Sequence, residues 1–263
     1  MQRALRIAHL YPDHMNIYGD RGNIIALTQR CRWRGIAVEV VGVQPGAAVA
    51  WASFDLVFFG GGQDSGQALI AADFVRRHGA ELCAAIADGL PMLAICGGYQ
   101  LLGHYFQTHT GERLAGIGAI DAHTIGGDRR MIGDIAITID GDVLGGGEPL
   151  VAVGFENHSG QTYLGDGVRP LGRVIAGHGN NGSDGSEGAV VHHAYGCYLH
   201  GSLLPKNPRF TDHLLSLALM HAGGDGALAP LDDHREDAAR AVMLERLQPP
   251  ERPARRWWPI RRS

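Results

Sequence analysis

The stretch MLAICGGYQ, residues 92–100, has the pattern of a strand that runs directly into a helix through a cysteine and two glycines. The apolar run Met92–Ile95 predicts a strand buried on both faces, as in a parallel sheet. Cys96 then falls on a sharp turn at the carboxyl end of that strand, where ligands bind in α/β folds. A helix N-terminus at this point would stabilise a thiolate. The pattern predicts a nucleophile, and a small apolar residue closing a core strand is the alternative.

The chain before and after this segment repeats the alternation of apolar strands and helical patterns. The predicted strands are Leu5–Leu10, Ala37–Val43 and Asp55–Phe59, and the predicted helices are Asn23–Arg34, Gln67–Ala87 and Tyr99–Phe106. After residue 116 glycine-rich turns separate the candidate strands Gly133–Ile139, Leu150–Phe155, Arg173–Ala176 and Ala194–Leu199. We therefore expect an α/β fold with a mostly parallel central sheet, helices on both faces and an antiparallel extension of the same sheet.

The C-terminal part of the sequence predicts an appendage to this domain. Residues 177–188 form a long polar loop, either a mobile surface segment or a lid, before the predicted helices Pro208–His221 and Asp232–Leu247. We assign residues 1–226 to one domain and residues 227–263 to a C-terminal helix and basic tail. The tail, ERPARRWWPIRRS, suits either peripheral contact with an anionic membrane surface or a disordered solubilising end.

Composition narrows the class of protein. Of 263 residues, 45% are hydrophobic and 19% charged, which is typical of a globular chain with a sizeable core. The net charge of -4 does not favour nucleic-acid binding. Neither a membrane span nor a signal peptide is predicted, and we expect a cytoplasmic protein. Four scattered cysteines predict free thiols, and fourteen histidines show no zinc-like spacing, so no metal is expected.

Two further segments bear on the chemistry of Cys96. Gly60, Gly61 and Gly62 follow a buried strand, and their N–H groups could join that of Gly97 in an oxyanion hole. A tight turn is the alternative, and a phosphate-binding P-loop is excluded because no Gly-Lys-Ser/Thr follows. His200 follows the strand Ala194–Leu199 and could act as general base, although it is one of fourteen histidines.

Together these motifs resemble those of class I glutamine amidotransferases of the cobyric acid synthase type. The resemblance rests on the triple-glycine loop, on ICGGYQLLG (residues 95–103) and on GCYLHGSLLPKNP (residues 196–208). The motifs NIYGDRGN (residues 16–23) and GFENH (residues 154–158) are similar to those of glutaminase subunits of lipid II isoglutaminyl synthases. The resemblance covers roughly residues 5–220.

The resemblance implies roles for particular residues. Cys96 matches the nucleophile, His200 the catalytic histidine, and Arg130 an arginine that contacts the α-carboxylate of glutamine. Because Arg129 is adjacent, the matching arginine could be either Arg129 or Arg130. Further substrate-binding positions are Gly61, Gly62, Gly97 and Gln100. The resemblance implies no metal and no organic cofactor.

Two positions depart from the pattern of class I enzymes. Ala94 stands where a glycine commonly precedes the nucleophile, and Ser202 stands where many members carry a glutamate that orients the histidine. The third member of the triad must therefore lie elsewhere or be absent. Asp20 is the first candidate and Glu156 the second. Asp20 could equally cap the helix that begins near Asn23.

The implied function is release of ammonia from glutamine for a partner subunit. The partner would be a Mur-ligase-like, ATP-dependent (MurT-like) subunit in a heterodimer, which amidates the D-glutamate α-carboxyl of lipid II to D-isoglutamine. Three alternatives stay open: a glutaminase for another ATP-dependent amidotransferase such as a corrinoid-amidating enzyme, a cysteine peptidase of related fold, and a non-catalytic binding subunit.

A glutamine-analogue electrophile should label Cys96 and spare Cys31, Cys83 and Cys197, because only Cys96 lies on a strand-to-helix turn. Peptide mass spectrometry of the labelled protein measures this directly. The Cys96→Ser variant provides the control, since it should take up no label while remaining folded. Labelling spread evenly over the four thiols would contradict the assignment of the nucleophile.

Overall fold

The structure, a computed structural model, describes residues 4–17, 19–200 and 203–247. Its strands are β1 (Leu5–Leu10), β2 (Val38–Val43), β3 (Leu56–Phe59), β4 (Met92–Ile95), β5 (Tyr105–Gln107), β6 (Arg113–Ala115), β7 (Ala122–Ile139), β8 (Leu150–Leu164), β9 (Gly172–Ala176), β10 (Ser186–Glu187), β11 (Ala189–Val191) and β12 (Ala194–Cys197). Its α-helices are α1 (Arg21–Trp33), α2 (Asp64–Ala87), α3 (Gly97–Leu102), α4 (Leu203–Lys206), α5 (Pro208–His221) and α6 (His234–Leu247). Short 3-10 helices span Trp51–Ser53 and Gly141–Leu144.

The central sheet has the strand order β11-β12-β4-β3-β1-β2 and is parallel except for the edge strand β11. Every residue of β3, β4 and β12 is buried, in keeping with their continuous apolar or small residues. The predicted α/β fold with a mostly parallel sheet is thus confirmed. Its order places β4 between β3 and β12, so the segments that follow these three strands meet at one edge.

We expected the four candidate strands after residue 116 to extend the central sheet as antiparallel strands, but only β12 of the four lies in that sheet, and it runs parallel to β4. The other three belong to a second sheet. This sheet has the order β10-β9-β7-β5-β6, with β8 paired along β7. Both β7 and β8 are far longer than the predicted Gly133–Ile139 and Leu150–Phe155. The two sheets touch where Phe155 and His200 exchange backbone hydrogen bonds of 3.0 and 2.8 Å. His200 is therefore fixed by both sheets.

The predicted helix Tyr99–Phe106 is wrong in its second half. It ends at Leu102, and the chain leaves Gly103 in an extended conformation to form β5. Phe106 then pairs with residues of β6 and β7. Pairing with strands that lie farther along the chain has overridden the local helical pattern, as tertiary contacts commonly do.

The polar segment 177–188 folds back onto the protein. Asn180, Asn181 and Glu187 are buried, and the Asn180 side chain binds the backbone of Gly188 at 3.0 Å in both directions. Buried, fully engaged amides of this kind hold a loop in one conformation. The segment is thus part of the second sheet's framework, with β10 at its end.

The C-terminal helix α6 packs against the second sheet. Met243 shares a small apolar cluster with Ala136 and Val153. Before this helix, Asp233 binds the buried Arg30 at 2.6 Å. The division of the chain at residue 226 stays a prediction. The basic tail, residues 251–263, and Ser202 lie outside the described residues. In the described ranges no helix is long and apolar enough to cross a membrane.

Candidate active site

Cys96 occupies a strained turn between β4 and α3. Its backbone has φ 48° and ψ -105°, a region that a residue with a side chain rarely adopts. Its N–H donates to the Cys197 carbonyl at 2.8 Å, which holds the turn against β12. A Cβ on Gly98 would lie 2.7 Å from the Phe59 carbonyl oxygen, so only glycine lets α3 approach β3 this closely. The strand–cysteine–glycine–glycine pattern therefore has a packing reason as well as a chemical one.

His200 and Asp20 meet behind this turn. Nδ1 of His200 lies 3.0 and 3.2 Å from the two carboxylate oxygens of Asp20, and both side chains are fully buried. Asp20 Oδ2 also accepts the N–H of Gly61 at 2.7 Å. A Cβ on Gly61 would overlap the imidazole and lie 3.2 Å from Cys96 Cβ. Gly61 thus lets Cys96, His200 and Asp20 come together.

The charges of this cluster favour a protonated histidine. Burial by itself lowers the pKa of His200, but the negative charges of Cys96 and Asp20, together with hydrogen bonding to them, outweigh burial and raise that pKa to about 10. The site therefore favours an imidazolium between the Asp20 carboxylate and the Cys96 sulfur. This is the arrangement that stabilises a thiolate nucleophile.

The second candidate for the triad, Glu156, is engaged elsewhere. One carboxylate oxygen accepts the N–H and Nδ1–H of His178 at 2.8 and 2.7 Å, and the other accepts the N–H of Gly179 at 3.0 Å. Burial acts to raise the pKa of Glu156, and its hydrogen bonds to His158, His178 and Gly179 more than offset that effect, so the pKa lies below its ordinary value. Glu156 therefore anchors the segment 177–188. Asp20, for its part, makes no side-chain capping bond to α1.

A cavity of about 280 Å³ opens beside Cys96. Loops and helices beside the carboxyl edge of the central sheet and strands of the second sheet line it: Ile17, Gly62, Gln63, Asp64, Gln67, Cys96, Gln100, Phe106, His109, Arg130, Asn157, His158, Ser159 and Gly160. Of the predicted substrate-binding residues, Gly62, Gln100 and Arg130 lie on this wall. Gly61 and Gly97 lie directly beside it, next to His200 and Cys96. The volume suits a small molecule.

The two neighbouring arginines differ in where they point. Arg130 lines the cavity and its Nε donates to Asn157 Oδ1 at 2.6 Å. Arg129 is absent from the cavity wall, and its Nη2 lies 3.4 Å from His178 Nε2. Pairing of β7 with β8 is irregular between Gly126 and Met131. Both arginines lie within this irregular stretch, and only Arg130 of the two lines the cavity, which sequence alone could not establish.

Several cavity residues were not assigned from the sequence. Gln67 lies one turn into α2, and its Nε2 donates to Gln100 Oε1 at 2.7 Å. His158 stacks on Tyr198 with ring centroids 3.6 Å apart. The motif at residues 154–158 was a signal for His158 and Asn157, because both belong to it. Gln67 follows the triple-glycine loop by five residues. Its position could have been a signal, because loops that follow parallel strands lie at the carboxyl edge of the sheet, where ligands bind.

The other three thiols have different surroundings. Burial raises the pKa of Cys31 to about 11 and also raises those of Cys83 and Cys197. All four cysteines are free. Among the described residues, no three or more His, Cys, Asp or Glu side chains form a group that could hold a metal ion.

Comparison with known proteins places this geometry in context. Residues 6–208 match the CobB/CobQ-like glutamine amidotransferase domain. The chain is 40% identical to the lipid II isoglutaminyl synthase (glutamine-hydrolyzing) subunit GatD of Staphylococcus aureus (strain N315), over 92% of this chain and 96% of that protein. Identity to the subunit of the same name from Streptococcus pneumoniae (strain ATCC BAA-255 / R6) is 38%, over 86% and 85%. A cobyric acid synthase from Pelotomaculum thermopropionicum (strain DSM 13744 / JCM 10971 / SI) is 34% identical over 56% of this chain but only 29% of its own length.

Solved structures agree on the fold. PurLQS from Thermotoga maritima superposes with a TM-score of 0.57 at 16% identity, covering 92% of this chain and 100% of that one. The glutaminase domain of Trypanosoma brucei CTPS, with bound acivicin, gives 0.53 at 12% identity, covering 86% and 97%. At these identities the likeness shows the fold alone. With a domain match over most of its length and relatives that align nearly end to end, the chain belongs to the CobB/CobQ-like glutamine amidotransferase family.

Proposed function

We propose that this chain is the glutamine-hydrolysing subunit of a lipid II isoglutaminyl synthase. The observation that carries the proposal is the buried cluster of Cys96, His200 and Asp20 at a cavity whose wall also holds Arg130. The two relatives that align over 85% or more of both chains support this acceptor over a corrinoid. The cobyric acid synthase relative, in contrast, has most of its length outside the alignment.

The proposed reaction is acyl transfer through a thioester. The Cys96 thiolate attacks the side-chain carbonyl carbon of glutamine, and N–H groups of Gly97 and Gly62 stabilise the oxyanion. His200 gives its proton to the departing nitrogen, which leaves as ammonia. Water then attacks the thioester, His200 takes a proton from it, and glutamate is released with the thiolate restored.

Asp20 and Arg130 have supporting roles in this proposal. Asp20 lies 3.0 Å from His200 Nδ1, which supports its role in orienting the imidazole and stabilising its charge. Arg130 lies on the cavity wall with its Nε held by Asn157, which supports binding of the glutamine α-carboxylate. Gln100 lines the cavity and its Nε2 donates to the Tyr198 hydroxyl at 3.0 Å, which supports a fixed orientation of its amide.

The ammonia is consumed by a separate ligase in this proposal. Activation of a carboxylate needs ATP, and the sequence contains no nucleotide-binding motif that we identify. A Mur-ligase-like subunit would form a heterodimer with this chain in the cytoplasm, where ATP is available. The basic and aromatic sequence of residues 251–263 supports peripheral contact with an anionic membrane near the lipid-linked acceptor.

The Asp20→Asn variant tests the proposed triad. Its kcat/KM for glutamine should fall roughly a hundredfold or more, because the imidazole loses the carboxylate that orients it. Loss of that negative charge also lowers the pKa of His200, so the alkaline limb of the pH–rate profile should move to lower pH. Glu156→Gln is the matched control and should leave this limb in place. If the alkaline limb of the pH–rate profile moved in Glu156→Gln and stayed in place in Asp20→Asn, Glu156 rather than Asp20 would be the third member of the triad.

The Arg130→Ala variant tests the register of the substrate contact. Its KM for glutamine should rise roughly ten- to hundredfold, as expected for the loss of one charge-assisted pair. Arg129→Ala removes the same charge from the neighbouring position and should change KM far less. Steady-state measurement of ammonia release from both variants decides the point. The opposite order of effects would show that Arg129 binds the carboxylate.

Ammonia rescue tests the division of labour between subunits. With the Mur-ligase-like partner, ATP and lipid II, the chain should convert the D-glutamate α-carboxyl to the amide using glutamine. The Cys96→Ala complex should fail with glutamine but regain amidation when ammonium is supplied, because the ligase is untouched. Mass spectrometry of the lipid II product measures both arms.

The control for this experiment is the ligase itself, which must remain folded and bind ATP in the Cys96→Ala complex. If that complex stays inactive with saturating ammonium, Cys96 is more than the source of ammonia. If amidation of lipid II also fails with the unmodified chain while glutamine is hydrolysed, a different acceptor is indicated.

A further inference from the structure

Gln67 stands at one end of a buried chain of amide and hydroxyl groups behind the cavity. Its Nε2 donates to Gln100 Oε1 at 2.7 Å, and Gln100 Nε2 donates to the Tyr198 hydroxyl at 3.0 Å. That hydroxyl lies 2.7 Å from the Thr162 hydroxyl, which lies 2.8 Å from that of Thr124. In this arrangement Nε2 of Gln67 is the group bonded to Gln100, and Oε1 of Gln67 takes no part in the chain.

This acceptor has no hydrogen-bond partner within the described part of the chain. Gln67 is only 1% exposed, and its Oε1 is buried. A buried amide oxygen without a partner costs about 1–3 kcal/mol, so native proteins rarely retain one without a reason. Because Gln67 lines the cavity beside Cys96, a bound molecule that brings an N–H donor would satisfy it.

Three neutral acceptors near Gln67 are already engaged. Asn157 Oδ1 accepts from Arg130 at 2.6 Å, and the Gly160 carbonyl is bonded to His158 Nδ1 at 2.7 Å. Gln100 Oε1 accepts from Gln67 itself. Asp64 also lines the cavity, but half of its side chain is exposed and its charge is screened by solvent. His158 Nε2 is also buried without a hydrogen-bond partner in the described ranges, but it lies 3.9 Å from the Glu156 carboxylate. Gln67 Oε1 is a buried amide oxygen of the wall that has no partner among the described residues.

Glutamine carries two kinds of N–H donor, the side-chain amide and the α-ammonium group, and different parts of the site would contact each of them. The side-chain amide nitrogen must face His200, which protonates it, and His200 packs against Gly61. Gln67 packs instead against Gly97, where a Cβ would clash with its amide. The α-ammonium shares a carbon with the α-carboxylate that Arg130 is proposed to bind. The α-ammonium is thus the donor left for Gln67.

We infer that Gln67 is a specificity-determining residue whose Oε1 accepts a hydrogen bond from the α-ammonium group of glutamine. This inference rests on the glutaminase function proposed above. It makes the enzyme select amino acids with a free α-amino group, while Arg130 selects for the carboxylate. Gln67 takes no part in bond breaking, so its loss should weaken substrate binding more than turnover.

The test compares glutamine with its des-amino analogue glutaramate, which has the same carboxamide and carboxylate but no ammonium. In the Gln67→Met variant, KM for glutamine should rise roughly ten- to hundredfold with kcat little changed, as for loss of a hydrogen bond to a charged donor. For glutaramate, KM should change less than about threefold. If glutaramate is turned over too slowly, its inhibition constant is measured instead and should change as little. Ammonia release measures turnover, and thermal unfolding checks that each variant is folded.

Two further variants separate contact from disruption of the buried chain. Gln67→Glu keeps an acceptor at this place and should retain the preference for glutamine over glutaramate. Thr162→Val breaks the chain at a distance from Gln67 and should also retain it. An equal loss for both substrates in Gln67→Met would overturn the inference, as would a preference unchanged from that of the unmodified protein. If the unmodified protein hydrolyses no glutamine, alone or with its partner, the proposed function itself fails.

Discussion

The strained turn at Cys96 is the constraint on which the rest of the site depends. A positive φ at a residue with a side chain costs of order 1–3 kcal/mol and persists only where its surroundings enforce it. Here β4 is held on both sides, by β3 and β12, and the Cys96 N–H is bonded to Cys197. Gly98 then allows α3 to pack on the backbone of β3. Removing either neighbouring strand would let the turn relax and withdraw the thiol.

The same sheet order brings His200 and the triple-glycine loop to the thiol. His200 follows β12 and the triple-glycine loop follows β3, so both emerge beside Cys96 at the carboxyl edge. Asp20 joins them from the segment before α1 and is tied to Gly61. Burial favours the neutral form of an isolated histidine, but the adjacent Cys96 and Asp20 raise the pKa of His200 above its ordinary value. The chemistry therefore depends on burying three polar groups together, since none of them would be stable there alone.

The second sheet supplies a different part of the site. Arg130, Asn157 and His158 come from β7 and β8 and form the wall opposite the main sheet. Arg130 lies in the irregularly paired stretch between Gly126 and Met131, and Glu156 anchors the segment 177–188. The main sheet thus carries the groups proposed for bond breaking, and the second sheet carries groups suited to holding an amino acid. The backbone link between Phe155 and His200 keeps the two parts in register.

The sequence by itself determined the parallel sheet and the turn at Cys96, because apolar strands and paired glycines are local signals. It also indicated His200, Arg130 and Asp20, though it left Glu156 and Arg129 as rivals. Only the tertiary structure distinguishes their surroundings: Asp20 reaches His200 across 180 residues of chain, and Arg130 lines the cavity whereas Arg129 does not. The second sheet, the end of α3 at Leu102 and the unpartnered oxygen of Gln67 were likewise decided by contacts distant in sequence. Local patterns encode backbone conformation, whereas side-chain direction at a shared cavity is set by the packing of elements that no short stretch contains.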